Sequence, residues 1–310
     1  MTSQRYSVRP SLRLSLCLTA VLAALLAIVG CSGGSGGNAA DGKIAAVAGE
    51  NFYGDLIARV GGDRVSVTSL LSDPNVDPHT YESSPQNAEA VADARLVVEN
   101  GLGYDAFVER LLSASASSSR TVIDVQKLLG LPDGGNPHIW YDPGTMPRVA
   151  RAVADALEQV EPASRPNFEA NLTAYLDSFA PLTSKIAEIK SRYGGMPIAI
   201  TEPVAGYLTA AMGLQVLTPD GFARAIQEGT DPAPIDVAAQ RDLLTGHKVK
   251  ILLYNSQATT PVTDSVKTLA GQQGIPVVGV SETMPKQGQG FVDWQLAQLS
   301  EIETALGQSR

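Results

Sequence analysis

The sequence predicts an α/β protein of two lobes, each a mostly parallel sheet flanked by helices, joined by one long helix. Three observations carry this. Short apolar runs alternate with helically spaced stretches in both halves of the chain, the rhythm of parallel sheets covered by helices. Between the halves, residues 164–192 carry apolar side chains at steps of three and four, the helical period. The 310 residues also exceed what one ordinary core needs.

Each element has its own reason. In the expected N-terminal lobe, 44–163, an apolar run at 44–47 precedes a helical stretch through Leu56 and Val60. Residues 64–71 alternate polar and apolar as a half-buried strand does. A helix is expected at 88–94 and a short strand at 96–98. The low-complexity SASASSS of 113–119 precedes a strand at 122–125. Val149, Val153, Ala156, Leu157 and Val160 mark a helix over 146–160, stopped by Glu161-Pro162.

Within the connecting helical segment, 164–194, a helix over 164–192 would run about 43 Å at about 1.5 Å per residue. Pro181 should kink it, and Gly194-Gly195 should end it. In the expected C-terminal lobe, 195–310, strands read at 197–200, 216–217, 249–254 and 276–280. Helices read at 203–213, 234–245, 261–273 and 292–306. No internal sequence repeat accompanies the two-lobe pattern.

The N-terminus reads as an address. Residues 1–30 hold Arg5, Arg9 and Arg13, no acid, and an apolar run over 14–29 that ends in Ile28-Val29-Gly30-Cys31. That is a secretory signal peptide, and its small-residue approach to Cys31 resembles a bacterial lipobox. Cys31 would then carry lipid, and residues 31–43 would form a lipidated, Gly/Ser-rich flexible tether. A membrane-spanning anchor is the competing reading, but about 16 apolar residues fall short of the roughly 20 a span requires. The tether includes a formal G-x-S-x-G at Gly33–Gly37. It has neither the strand before nor the helix after that a hydrolase elbow needs.

Composition narrows the function classes. Apolar residues make up 44% and charged residues 18%, which excludes a disordered or fibrous chain. The formal charge is −9; without the three N-terminal arginines it is 20 basic against 32 acidic residues. Nucleic acid is a poor partner for that surface. Both cysteines, Cys17 and Cys31, lie in the first 31 residues. The body therefore has neither a disulfide framework nor a thiolate metal site.

Three histidines remain. His79 lies in Asp77-Pro78-His79-Thr80-Tyr81-Glu82, and His138 lies in Asn136-Pro137-His138-Ile139-Trp140. The proline before each places it in a loop rather than a helix, and both loops follow expected strands. Ligands in open α/β sheets sit at the carboxyl ends of strands. His247 precedes a strand, between Gly246 and Lys248, and reads as a surface residue. Four carboxylates also follow strands: Glu99, Glu202, Asp220 and Glu282.

With these motifs in hand, the chain resembles the metal-binding solute-binding lipoproteins of bacterial zinc/manganese ABC transporters, the cluster A-I group. The likeness covers roughly 44–306. It runs through GGDRVSVTSLLSDPNVDPHTYESSP, ADARLVVENGLGYD, NPHIWYDP, LEQVEPASRPNFEANLTAYL, TEPVAGYL, VKILLYNSQ and IPVVGVSETMP. The resemblance implies one divalent metal held between two lobes by four side chains. These fall on His79, His138, Glu202 and Glu282; the last departs from the Asp usual in the family. Asn255 and Gln257, after another strand, would support the ligands, although a purely structural role is the plainer reading of both.

The chemistry of this donor set agrees, since imidazole and carboxylate suit first-row divalent ions. Two ligands from each lobe would make the ion a crosslink. Two carboxylates in a cleft are costly to bury until a cation arrives. Zinc-type members commonly carry a third His and a His-rich acidic loop; residues 113–135 contain no His. A His₂Glu₂ set resembles the manganese-type sites, whereas zinc outranks manganese in intrinsic affinity for N/O donors.

The function implied is capture of zinc or manganese as cargo outside the membrane by a monomeric, lipid-anchored protein. The cargo passes to an ABC permease without catalysis. Other classes fit less well. A metallohydrolase lacks H-E-x-x-H and an open coordination position. Dinucleotide binding finds only Gly101-Leu102-Gly103, without a third glycine. A surface lipoprotein with an adhesive or partner-binding role and a structural metal is the alternative.

Overall fold

The computed structural model describes residues 42–76, 78–286 and 288–309, together with Met1, Thr2 and Gln4; of His79 it describes the backbone alone. The expected signal peptide apart from those three residues, Cys31 and nearly all of the expected tether thus lie outside the described residues. Among those residues, no helix is long and apolar enough to cross a membrane.

The N-terminal sheet consists of β1 (Ile44–Glu50), β2 (Val65–Leu71), β3 (Leu96–Glu99) and β4 (Thr121–Asp124). Its order is β2-β1-β3-β4, all parallel, with Ala46 opposite both Val67 and Leu96. The C-terminal sheet consists of β5 (Pro197–Ile200), β6 (Gln215–Val216), β7 (Leu252–Asn255) and β8 (Val277–Val280). Its order is β6-β5-β7-β8, again parallel. Each sheet therefore reverses direction of growth once, beside β1 in one and β5 in the other. Ligand sites form at such reversals, beyond the carboxyl ends of the strands.

Helices join and cover the strands. In the N-terminal lobe these are α1 (Asn51–Gly61), α2 (Pro85–Asp93), α3 (Ala106–Ala114), α4 (Val125–Leu129) and α5 (Thr145–Val160). Two more, α6 (Arg165–Asp177) and α7 (Ala180–Tyr193), lead across. The C-terminal lobe adds α8 (Gly206–Ala211), α9 (Asp220–Gln227), α10 (Pro234–Thr245), α11 (Pro261–Gln272) and α12 (Phe291–Gln308).

The connection expected as one kinked helix is thus two helices, parted at Ser178–Phe179. Pro181 is the cause. It has no N–H for Asp177, and its ring crowds that carbonyl. Phe179 N instead bonds back three residues to Leu176 O, at 3.2 Å. Pro181 then sits in the first turn of α7, where a missing N–H is harmless. Helices α3, α4 and α9 were not expected from the sequence.

Each lobe has a satellite core on one sheet face, Val47, Leu71 and Val97 in one and Phe222, Leu252 and Val266 in the other. The main core belongs to both lobes. Ala48 and Val98 of the first sheet share one apolar cluster with Ile200, Leu253 and Val280 of the second. Aromatic rings cross it. Phe52 stacks on Trp140 at 4.5 Å and on Trp294 of α12 at 6.2 Å.

Candidate metal centre

Parallel topology brings three of the four expected ligands together. Glu202 lies two residues beyond β5, Glu282 two residues beyond β8, and His138 immediately before a 3-10 turn at Ile139–Tyr141. All three side chains are fully buried. His138 Nε2 is 3.3 Å from Glu282 Oε2 and 3.8 Å from Glu202 Oε1. One ligand atom from each residue lies within 4.8 Å of the others. A tetrahedral ion with bonds of about 2.1 Å spaces its donors about 3.4 Å apart, so the three atoms need little contraction to hold one.

Neighbouring groups fix the orientation of each donor. His138 Nδ1 is 2.7 Å from Asn136 Oδ1. The Asn136 amide is itself oriented, because its Nδ2 donates to Pro203 O at 2.7 Å. An amide oxygen only accepts, so His138 carries its proton on Nδ1 and turns the Nε2 lone pair toward the carboxylates. The ring is also held edge-on between Tyr104, at 5.8 Å, and Trp140, at 5.3 Å.

Asn255, the last residue of β7, donates through Nδ2 to Glu202 Oε2 at 2.6 Å and to Glu282 Oε1 at 2.7 Å. Tyr104 donates to Glu282 Oε2 at 2.9 Å. Burial, and then the Glu282 carboxylate, hold the Tyr104 hydroxyl well above its ordinary pKa, so it stays a donor. Gln257 Oε1 accepts from Glu282 N at 2.6 Å and from Thr283 N at 2.9 Å. Asn255, Tyr104 and Gln257 are neutral, so they orient the carboxylates without offsetting their charge. A divalent cation offsets it directly.

The other sequence candidates fall elsewhere. The His79 backbone lies in a 3-10 turn, Pro78–Thr80, beyond β2; its side chain is outside the described residues. Pro78 and Pro137, the residues before the two histidines, line one open cleft of about 270 Å³ with Tyr104. Glu99 ends β3 inside the N-terminal lobe, apart from the cluster. Burial first, and then Asp105, push its pKa to about 7. Asp220 opens α9. His247 occupies an exposed turn at φ +49°.

Sequence reasoning missed Tyr104 and Asn136. Tyr104 is aimed by a turn in which Gly101, Leu102 and Gly103 all have positive φ. Leu102, at +57°, is the costly member. The turn is held by Asp105, which accepts from Asn100 N at 2.6 Å and Gly101 N at 2.9 Å, and by Gln126, which accepts from Leu102 N at 2.8 Å. The glycines that suggested a weak nucleotide motif thus belong to this turn.

Known proteins share this architecture. The chain is 27% identical over 279 residues to the manganese-binding lipoprotein MntA of Halalkalibacterium halodurans, covering 86% of this chain and 91% of that protein. It is 23% identical over 300 residues to the metal ABC transporter substrate-binding lipoprotein FimA of Streptococcus parasanguinis, covering 88% and 93%. The periplasmic zinc-binding protein TroA of Treponema pallidum superposes with a TM-score of 0.73 at 19% identity, over 86% of this chain and 99% of that one. The family model of zinc-uptake complex component A, periplasmic (ZnuA), matches residues 47–305. With that match spanning both sheets and all three converging donors, the chain belongs to the ZnuA family of substrate-binding components of metal transporters.

Proposed function

We propose that this protein captures one divalent ion, zinc or manganese, outside the membrane and surrenders it to the permease of an ABC importer. The observation that carries the reading is the convergence of His138, Glu202 and Glu282, fully buried, from loops of both lobes. His79, whose backbone lies in the Pro78–Thr80 turn beyond β2, supplies the fourth donor. Four protein donors fill a tetrahedral ion and leave no position for a reacting water, so the site holds and releases rather than catalyses. Its oxygen-rich donor set suits manganese, while intrinsic affinity favours zinc. Cys31 carries the lipid that tethers a monomer at the membrane surface.

The test is thermal unfolding of the metal-stripped full chain with zinc and manganese titrated separately. A ligand at 100 times its dissociation constant adds about 2.7 kcal/mol of stability. Either metal should raise the midpoint, and His138→Ala and Glu282→Gln should each abolish the rise. A parent protein that neither metal stabilises would sink the reading. For the anchor, Cys31→Ser should release the protein from the membrane fraction; unchanged retention refutes lipidation.

A further inference from the structure

Three loops meet at one side chain. Gln257, two residues beyond β7, uses every hydrogen-bonding position of its amide. Its Oε1 accepts the backbone N–H of Glu282 and of Thr283. Its Nε2 donates to Thr283 Oγ1 at 2.8 Å, Pro74 O at 3.1 Å and Val76 O at 3.5 Å. The first set lies in the loop beyond β8 that carries Glu282. Pro74 and Val76 lie in the loop beyond β2 that runs into the Pro78–Thr80 turn of the other lobe. Gln257 N in turn donates to Asn255 Oδ1 at 3.0 Å, and Asn255 grips both Glu202 and Glu282.

From this arrangement we propose that Gln257 is a positioning residue that makes the metal-bearing loops of the two lobes order together when the ion binds. The inference rests on the metal-capture reading above and adds the route by which one lobe senses the other. An ion that draws in the Glu282 carboxylate fixes the 282–283 backbone. That backbone fixes the Gln257 oxygen, and the same rigid amide plane then presents its N–H groups to Pro74 and Val76. The amide is half-buried, so water competes only in part for these bonds. A second interlobe clasp exists: the Asn51 amide exchanges both its hydrogen bonds with the Met284 backbone, at 3.1 and 3.0 Å. It touches the Glu282 loop; among the described residues, Gln257 is a side chain that reaches both that loop and the loop beyond β2.

Two variants separate the halves of the device. In Gln257→Glu the carboxylate still accepts from Glu282 N and Thr283 N but has no N–H for Pro74 or Val76. Gln257→Ala loses both sets. The experiment is residue-resolved amide hydrogen exchange on the full chain in detergent, with and without zinc, after circular dichroism confirms that each variant is folded. In the parent, zinc should slow exchange about tenfold or more at Glu282–Met284 and also at Asn75, Val76 and Tyr81. Gln257→Glu should keep the protection at 282–284 and lose it at 75–81. Gln257→Ala should lose both and bind zinc about 10–100-fold more weakly.

If zinc protects 75–81 as strongly in Gln257→Glu as in the parent, the coupling role is wrong and the capture reading stands. It is equally wrong if the parent gains protection at 282–284 alone. If zinc protects neither loop of the parent and does not bind, both readings fall together.

Discussion

At the scale of single residues, the three side chains that converge were legible, as were Asn255 and Gln257 beside them; Tyr104 and Asn136 were not. His138, Glu202 and Glu282 each follow a proline or a strand end, signals that survive in a linear sequence. Tyr104 reaches Glu282 across 178 residues, and nothing in the sequence near Tyr104 announces that bond. Asn136 lies two residues before His138, close enough to have been found by asking which group holds the second ring nitrogen. Removing the hydroxyl tests its worth: Tyr104→Phe should weaken zinc or manganese binding about 10–100-fold in equilibrium titration while the fold persists. Glu99 supports a prediction of a different kind. Its raised pKa means that the folded protein holds a proton the unfolded chain has released. Between the ordinary carboxylate range and about 7, the unfolded state therefore binds fewer protons, and stability falls as pH rises. Below that window both states are protonated, and above it both are ionised, so the dependence levels off. The thermal midpoint of the metal-free protein should drop across this window, and Glu99→Gln should flatten the drop.

At the scale of elements, local pattern placed most strands and helices, and tertiary context decided the rest. The strand at 197–200 and the helix at 234–245 have the bounds expected of them, because a proline opens each. The helix α3 went unread because it is only nine residues long and its last two, Ser113 and Ala114, already belong to the serine-rich stretch. The run over 164–192 shows how period alone misleads: its apolar spacing continues through Pro181, but the hydrogen-bond ladder does not. What fills the break is Phe179, packed edge-on to Tyr175 at 5.2 Å and stacked with Phe291 of α12 at 6.0 Å. Phe179→Ala should cost about 3–5 kcal/mol in denaturant unfolding. Metal affinity of the folded variant should stay unchanged, since the ring packs on Tyr175 and Phe291 rather than on His138, Glu202 or Glu282. A variant that loses affinity without losing stability would show that the break serves the site instead.

At the scale of the whole molecule, the shared apolar cluster governs behaviour. One long helix was expected to join the lobes; the structure adds a further link, a core whose members come from both sheets and from α12. Separating the lobes would expose Trp140, Phe52 and Trp294, so metal uptake is left to the loops beyond the strands. Calorimetry should accordingly record one cooperative transition for residues of both lobes, with metal moving its midpoint and leaving its singleness intact. Two resolved transitions would show that the lobes unfold independently. The same common core bears on how such a protein diversifies. A gene fragment encoding one sheet would leave its side of the shared cluster exposed, which makes it a poor unit for recombination. New cargo preferences are then expected to arise by substitution in the strand-end loops, on an interior that both lobes hold in common.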